Sequence, residues 1–416
     1  MRNHRDFFSS LPKDVIFQIL VKLSVKSLLQ LRCVSKSFAY LISNHHFIKL
    51  LTYSTAPTSG GGGTDTGDPR HLLYYESTDY TKQYISFHGA TEFSLCKRLE
   101  VPFESVHGYL RLVGSSNGLI CLFDTNYFTY IGTVILWNPS IRKFKILPDT
   151  HWFHHFTTKF SHMAVGFGFD YKSFDFKVVQ ILYDSDYESE RGRQALVYQI
   201  KNESWRKIEV VVPCFMHNNW SSNVFVNEIV HWLAYTRLTA DGQPNCIMAF
   251  SISEEVFKVM ELPQDLELNF RESRLSPSID EKSLALFVSY SDNAGERWDM
   301  WLMNEYGKVE SWMKKYSIVR NRMVPLKFLN NGEDLLEMSE ENLVLLDLEK
   351  EETKNLEVSG LPLSFNTAGF VPSLALLGDG QEVATKIVPI NGNGILMNDQ
   401  VMVASEIDSV SRKYEG

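Results

Sequence analysis

Hydrophobic positions in the first fifty residues follow a helical period. Val15, Ile16, Ile19, Leu20 and Leu23 recur at i, i+1, i+4, i+5 and i+8, which draws one apolar stripe along a helix. Pro12 stands where such a helix starts, because a first-turn proline forfeits no hydrogen bond and its φ is already helical. Ser27 is placed to cap a second helix carrying Leu28, Leu29, Leu31, Cys33 and Val34, and Ser35 to cap a third carrying Phe38, Ala39, Leu41 and Ile42. Phe47, Ile48, Leu50 and Leu51 mark a fourth short turn. Four short helices in so few residues enclose too small a core to stand alone, so the unit is expected to lean on its own chain or on a partner.

After Leu51 the pattern changes. Residues 54–69 read S-T-A-P-T-S-G-G-G-G-T-D-T-G-D-P, a flexible connection. Its four consecutive glycines are not followed by the Gly-Lys-Ser/Thr that a phosphate loop needs. Beyond it, short β-rich runs return at near-regular spacing with one signature: an aromatic or leucine in a strand, a polar turn, and an aromatic seven residues later. Trp137 and Phe144, Tyr198 and Trp205, and Phe250 and Phe257 share that spacing. Leu302 and Trp312 are a longer version, Leu346 and Thr353 keep the spacing without the aromatics, and Phe87 and Phe93 are a degenerate first copy. The anchors at 87, 137, 198, 250, 302 and 346 lie about 52 residues apart on average, the period of a four-stranded kelch-type blade. A β-sandwich would place turns at similar intervals without repeating the signature. The expected fold is mainly β with a small N-terminal α domain: helices over 5–51, a linker over 52–70, a propeller of about six blades over 71–377, and a mostly disordered tail over 378–416.

The period also predicts geometry. In the second blade, strands a to d are expected at 107–116, 119–124, 133–138 and 143–147, and antiparallel alternation then puts all b–c and d–a connections on one face. The long irregular segments 150–161, 184–193, 214–221, 236–245, 264–274 and 291–297 are all such connections. Variable loops on a rigid scaffold are where recognition sits, so Trp152, Phe153, Asp186, Glu188, Trp220, Arg237 and Arg297 are candidate target-binding residues. The first blade lacks an a strand, and the apolar run Ala368–Leu377 is expected to supply it and close the ring.

Charge divides the chain at the same boundary. Residues 1–51 hold eight basic and two acidic side chains, net +6, whereas the remainder holds 33 basic and 48 acidic ones, net −15. Two segments of opposite sign suggest different partners. The overall −9 argues against a general nucleic-acid binder, and no apolar run approaches the ~20 residues of a membrane span. Five cysteines with no C-x-x-C pair, and an N-terminus without an apolar signal region, lead to an expectation of reduced thiols and a cytoplasmic or nuclear location. No cofactor is implied. His151, His154 and His155 cluster without the H-E-x-x-H arrangement, and Asp184, Asp186, Glu188 and Glu190 lack EF-hand spacing.

Two resemblances follow from the residues. Leu11-Pro12-Lys13-Asp14-Val15-Ile16-Phe17-Gln18-Ile19-Leu20, Val25-Lys26-Ser27-Leu28-Leu29 and Arg32-Cys33-Val34-Ser35-Lys36-Ser37-Phe38 together resemble the F-box of plant F-box proteins. That family's box binds a Skp-type adaptor and, through it, cullin and RING subunits of a ubiquitin ligase. By position the resemblance assigns adaptor contacts to Leu11, Pro12, Val15, Ile16, Ile19, Leu20, Leu23, Leu28, Leu31, Cys33 and Val34. Ser24 stands where the family commonly has proline and Phe38 where it has tryptophan. The blocks Ser116–Leu122, Leu136–Ser140, Gly166–Asp170, His231–Ala234, Trp301–Gly307 and Glu310–Trp312 are similar to the F-box-associated interaction domain of plants. The implied role is a non-catalytic, substrate-recognition subunit that recruits a protein target for ubiquitination. The similar S-locus F-box proteins recognise S-ribonucleases in self-incompatibility, and a basic target would suit the acidic scaffold. The competing class is a propeller enzyme or small-molecule receptor with a vestigial box.

Overall fold

The computed structural model describes residues 11–54, 70–89, 93–125, 132–150, 160–184, 193–216, 223–236, 243–267, 269–278, 280–292, 295–319, 323–329, 332–338, 342–376 and 380–388. Four helices come first: α1 (Lys13–Leu20), α2 (Val25–Val34), α3 (Lys36–Ile42) and α4 (His45–Ser54). Pro12 immediately precedes α1, and its carbonyl accepts from the Ile16 amide at 3.2 Å. The cap of α2 is Ser24 rather than Ser27. Ser24 has the extended backbone a cap needs and its Oγ accepts from the Ser27 amide, whereas Ser27 is already inside the helix. Ser35 caps α3 as expected, accepting from the Ser37 amide at 3.1 Å. Helix α4 runs to Ser54, three residues into the span expected as linker. Ile16, Phe17, Leu20, Val25, Leu28, Leu41, Ile42, Phe47 and Leu51 form the core of this box.

Six antiparallel sheets follow. The first holds β1 (His71–Glu76), β2 (Gln83–His88) and β3 (Leu95–Glu100); the second β4 (Tyr109–Ser116), β5 (Leu119–Thr125), β6 (Gly132–Asn138) and β7 (Lys143–Ile146). The third holds β8 (Phe160–Asp170), β9 (Asp175–Asp184), β10 (Arg193–Gln199) and β11 (Ser204–Ile208). In the fourth, β12 (Phe215–Met216) and β13 (Val224–Val226) share one edge of β14 (Ile229–Tyr235), followed by β15 (Cys246–Ser251) and β16 (Phe257–Glu261). The fifth holds β17 (Ser273–Pro277), β18 (Leu284–Asp292), β19 (Gly295–Met303) and β20 (Trp312–Val319), and the sixth β21 (Met323–Phe328), β22 (Glu333–Met338), β23 (Asn342–Asp347) and β24 (Glu352–Ser359). The sheets are the blades of a propeller whose first strands neighbour one another round the axis, with β8 meeting β14 in the fourth blade.

Every anchor of the sequence repeat sits on the third strand of its blade, and the seven-residue spacing is the register of the following hairpin. Trp137 faces Phe144, Tyr198 faces Trp205, Phe250 faces Phe257 and Leu346 faces Thr353. Such facing pairs are the unit of sheet stabilisation. Two assignments need correction. The longer turn after β19 slips the pairing by one, so Trp312 faces Met303 and Leu302 faces Met313. Phe87 faces Lys97, and Phe93 lies before β3 with φ 48° and its ring stacked on His88.

Ring closure also differs in register from the expectation. The strand that pairs with β1 is β25 (Asn366–Gly369), with Gly369 opposite His71 and Asn366 opposite Tyr74. One further bond, from the Phe370 amide to the Arg70 carbonyl at 2.8 Å, continues this pairing, and Pro372 beyond it has no N–H to donate. The apolar residues that follow are spent on packing: Phe370 fills the core between blades one and two, Leu376 that between two and three, and Leu374 enters the box. The expectation of a disordered tail from 378 is corrected for its first residues. β26 (Gln381–Glu382) pairs with the outer strand β7, and β27 (Ile387–Val388) with the outer strand β3, covering two blade edges.

Candidate functional site

The adaptor residues assigned by resemblance split into three sets by burial. Ile16, Leu20 and Leu28 are buried in the box's own core and present nothing to a partner. Leu11, Leu23 and Leu31 are half-buried against that core. Pro12, Val15, Ile19, Cys33 and Val34 are exposed. On α1, Val15 and Ile19 are four apart, so they stack on one face while Ile16 and Leu20 point inward. The free stripe is therefore narrower than the sequence pattern suggested, because a one-residue offset along a helix turns a side chain by about 100°.

The box is seated on the ring, not merely tethered to it. His45, Lys49 and Tyr53 recur every four residues along α4 and meet the turn between β8 and β9. The Tyr53 ring lies 5.5 Å from that of Phe174 and 6.0 Å from that of Tyr171, and its hydroxyl donates to the Tyr171 carbonyl at 3.2 Å. Lys49 Nζ stands 5.2 Å from the Phe174 ring centre, and the His45 ring 5.9 Å. From the other side Leu374, 1% exposed, joins the box core, and Ile141 in the turn between β6 and β7 packs against both the box and the ring. These turns are a–b and c–d connections of blades two and three. The box thus occupies the face opposite the b–c and d–a connections.

Of the candidates for target binding, Trp152, Phe153, Asp186, Glu188, Trp220 and Arg237 lie outside the described residues, as do His151, His154 and His155. Arg297 is described, and it is engaged internally. Its guanidinium pairs with Glu267 at 2.9 Å and Asp299 at 3.2 Å and lies 4.5 Å from the Tyr290 ring centre. Burial works against its charge, but the Asp299 and Glu267 carboxylates outweigh it and hold Arg297 even more firmly protonated than usual. Arg297 is part of the scaffold rather than a ready contact. Reasoning from sequence missed a different set. Among the described residues of the ring, the large apolar side chains at least 60% exposed are Tyr80, Val106, Val211, Val319 and Leu363. Each lies in a b–c or d–a connection or at the d–a end of an outer strand. Their common topology was readable from the repeat, but which valines stay in water depends on packing.

Among the described residues no group of three or more His, Cys, Asp or Glu side chains is arranged to hold a metal ion, and no helix is long and apolar enough to cross a membrane. The conspicuous ionisable groups are structural. Lys177 Nζ is buried between blades three and four, 2.9 Å from Asp170, from Glu255 and from the Ile252 carbonyl. The imidazole of His231 spans the Val224 carbonyl at 3.1 Å and the Tyr306 hydroxyl at 2.7 Å, and burial pushes its pKa down to about 4. Its Nδ1 must carry the proton to meet a carbonyl, so Nε2 accepts from Tyr306.

Comparison with known proteins agrees with this architecture. The F-box domain family matches residues 8–50, and the F-box associated beta propeller domain family matches residues 94–368. The chain is similar to F-box protein CPR1 of Arabidopsis thaliana, 25% identical over 88% of this chain and 89% of that protein. It is also similar to an F-box/kelch-repeat protein of the same plant, 26% identical over 76% of this chain and 81% of the relative.

Proposed function

The chain belongs to the F-box proteins with an F-box-associated β-propeller, and from that premise we propose that it is a substrate-recognition subunit of a Skp–cullin–F-box ubiquitin ligase. The observation that carries this reading is the two-faced build. The box, with Pro12, Val15, Ile19, Cys33 and Val34 open to a Skp-type adaptor, sits on one face of the ring, and the exposed apolar residues Tyr80, Val106, Val211, Val319 and Leu363 ring the other. A protein held on the second face is thereby carried to the ligase core, and the contribution of this chain is proximity: it raises the effective concentration of the target's lysines near the transferring enzyme. The chemistry belongs to other subunits. The −15 charge outside the box favours a basic target.

Proximity labelling from the tagged chain, with the proteasome inhibited, tests this reading. Wild type is expected to label both a Skp-type adaptor and a set of target proteins. Val15→Asp/Ile19→Asp should lose the adaptor and keep the targets, and Tyr80→Asp/Val106→Asp the reverse. Loss of both sets by either pair, or of neither, contradicts a receptor with two separate faces.

A further inference from the structure

The blocks Ser-Asn-Gly at 116–118 and Asn-Pro-Ser at 138–140 contribute to neither proposed interaction face, yet the structure gives them one shared task. Asn138 is fully buried, and its Nδ2 donates to the Ser373 carbonyl at 3.1 Å and to the Ala375 carbonyl at 2.9 Å, while its Oδ1 accepts from the Ser140 amide. Two carbonyls gripped by one amide leave little freedom to the residue between them, Leu374. Asn117 and Gly118 turn between β4 and β5 with φ of 42° and 76°, the positive pair that a tight type I′ hairpin requires. A Cβ on Gly118 would stand 2.4 Å from Ser373 Oγ and 2.7 Å from its backbone nitrogen, so the glycine also makes room for this segment. The two turns cradle residues 373–375 from both sides.

What the cradle presents is Leu374, whose side chain completes the core of the box. Four residues before Ser373, β25 has just closed the ring. One short segment therefore closes the propeller, is clamped by blade two, and plugs the box. The stripe of His45, Lys49 and Tyr53 on the turn of blade three is a second, separate foothold. Two footholds suppress the swivelling that one would permit. We propose that this clamp fixes the angle between box and ring, with Asn138 and Leu374 as positioning residues and Tyr53 in support. The inference rests on the ligase reading for its purpose: a target bound on the far face reaches the transferring enzyme only if the box carries the ring at a set angle, since a loose joint spreads the target over more volume and lowers its effective concentration.

The chain carries its own probes. Cys33 on the box and Cys96 on blade one are exposed, whereas Cys121, Cys214 and Cys246 are buried, so a thiol-reactive nitroxide labels one site on each part. All eight tryptophans lie between residues 137 and 312, so their emission reports the ring alone. Pulsed dipolar spectroscopy on the full chain should show one narrow Cys33–Cys96 distance distribution. Asn138→Asp, which turns a double donor into a carboxylate facing two carbonyls, and Leu374→Ala should broaden it with tryptophan emission unchanged, and Tyr53→Ala should broaden it less. Should Leu374→Ala unfold the box, Asn138→Asp and Tyr53→Ala still decide, because neither side chain is part of the box core. A broad distribution in the wild type, or an unchanged narrow one in Asn138→Asp and Tyr53→Ala, overturns the proposal. Adaptor capture by the unlabelled chain is scored apart: if it is absent while the distance is narrow and clamp-dependent, the ligase role fails and the clamp stands.

Discussion

Val15 and Leu20 look equivalent in the apolar stripe of α1, but they do opposite jobs. Leu20→Asp places a carboxylate in the box core and is expected to melt the box, so lost adaptor binding in that variant says nothing about contact. Val15→Asp and Ile19→Asp alter exposed positions, so they should abolish adaptor capture while leaving thermal unfolding within about 0.5 kcal/mol of wild type. Buried charges set the other residue-scale expectations. Lys177→Ala strands Asp170 without its partner between blades three and four, and denaturant unfolding should show a loss of about 3–5 kcal/mol. Burial raises the Asp334 carboxyl to about 7, opposed by the hydrogen bond it accepts from the Tyr316 hydroxyl. A carboxyl whose folded pKa is raised contributes most at low pH, and that contribution fades as pH rises through 7. Asp334→Asn should therefore raise Tm relative to wild type at pH 8, and the gain should shrink at pH 5. A gain that is equal at both pH values, or larger at pH 5, contradicts the buried ionisation.

At the scale of elements, what was legible followed from period and facing pairs. The seven-residue signature marked the third and fourth strands of blades two, three, four and six because a hairpin places i and i+7 opposite each other across a short turn. Only the long turn after β19 and the irregular start of β3 broke the rule. The Gly-Phe-Gly-Phe-Asp block at 166–170 shows how a motif combines packing and turn. Phe167 and Phe169 enter the core between blades two and three, and a Cβ on Gly166 or Gly168 would stand 2.6 Å from the Trp232 ring or 2.3 Å from that of Phe225. Gly166→Val should accordingly loosen blade three from blade four, seen as a shift in the Trp232 contribution to emission and a lower Tm; an unchanged Tm would contradict that packing. The full length of α4 was not legible, since Thr52 and Ser54 read as loop formers until their hydroxyls are seen bonding back to Ile48 and Leu51. Nor was the choice of Ser24 over Ser27 as cap, which turns on backbone angles. The residues that seat the box come from sites more than a hundred positions apart, a juxtaposition that no local pattern encodes.

For the whole molecule, the opposite charges of box and ring, +6 and −15, correspond to two parts joined in one seated body with two outward faces. The segment around Leu374 belongs to three of its packing units at once, so closure of the ring and seating of the box are coupled. Deleting residues 366–376 removes β25, the clamp and the plug together, and should replace one cooperative unfolding transition by a broad, low-amplitude one; retention of a single sharp transition would show that the ring closes without this strand. The central claim is that the chain couples a target to a ligase through an adaptor bound at the exposed side of α1. Sedimentation velocity of the purified full chain with a Skp-type adaptor tests it most directly. A 1:1 complex that forms with wild type and is lost in Val15→Asp/Ile19→Asp is the predicted result; separate boundaries for wild type and adaptor, or a complex untouched by that double substitution, would contradict it.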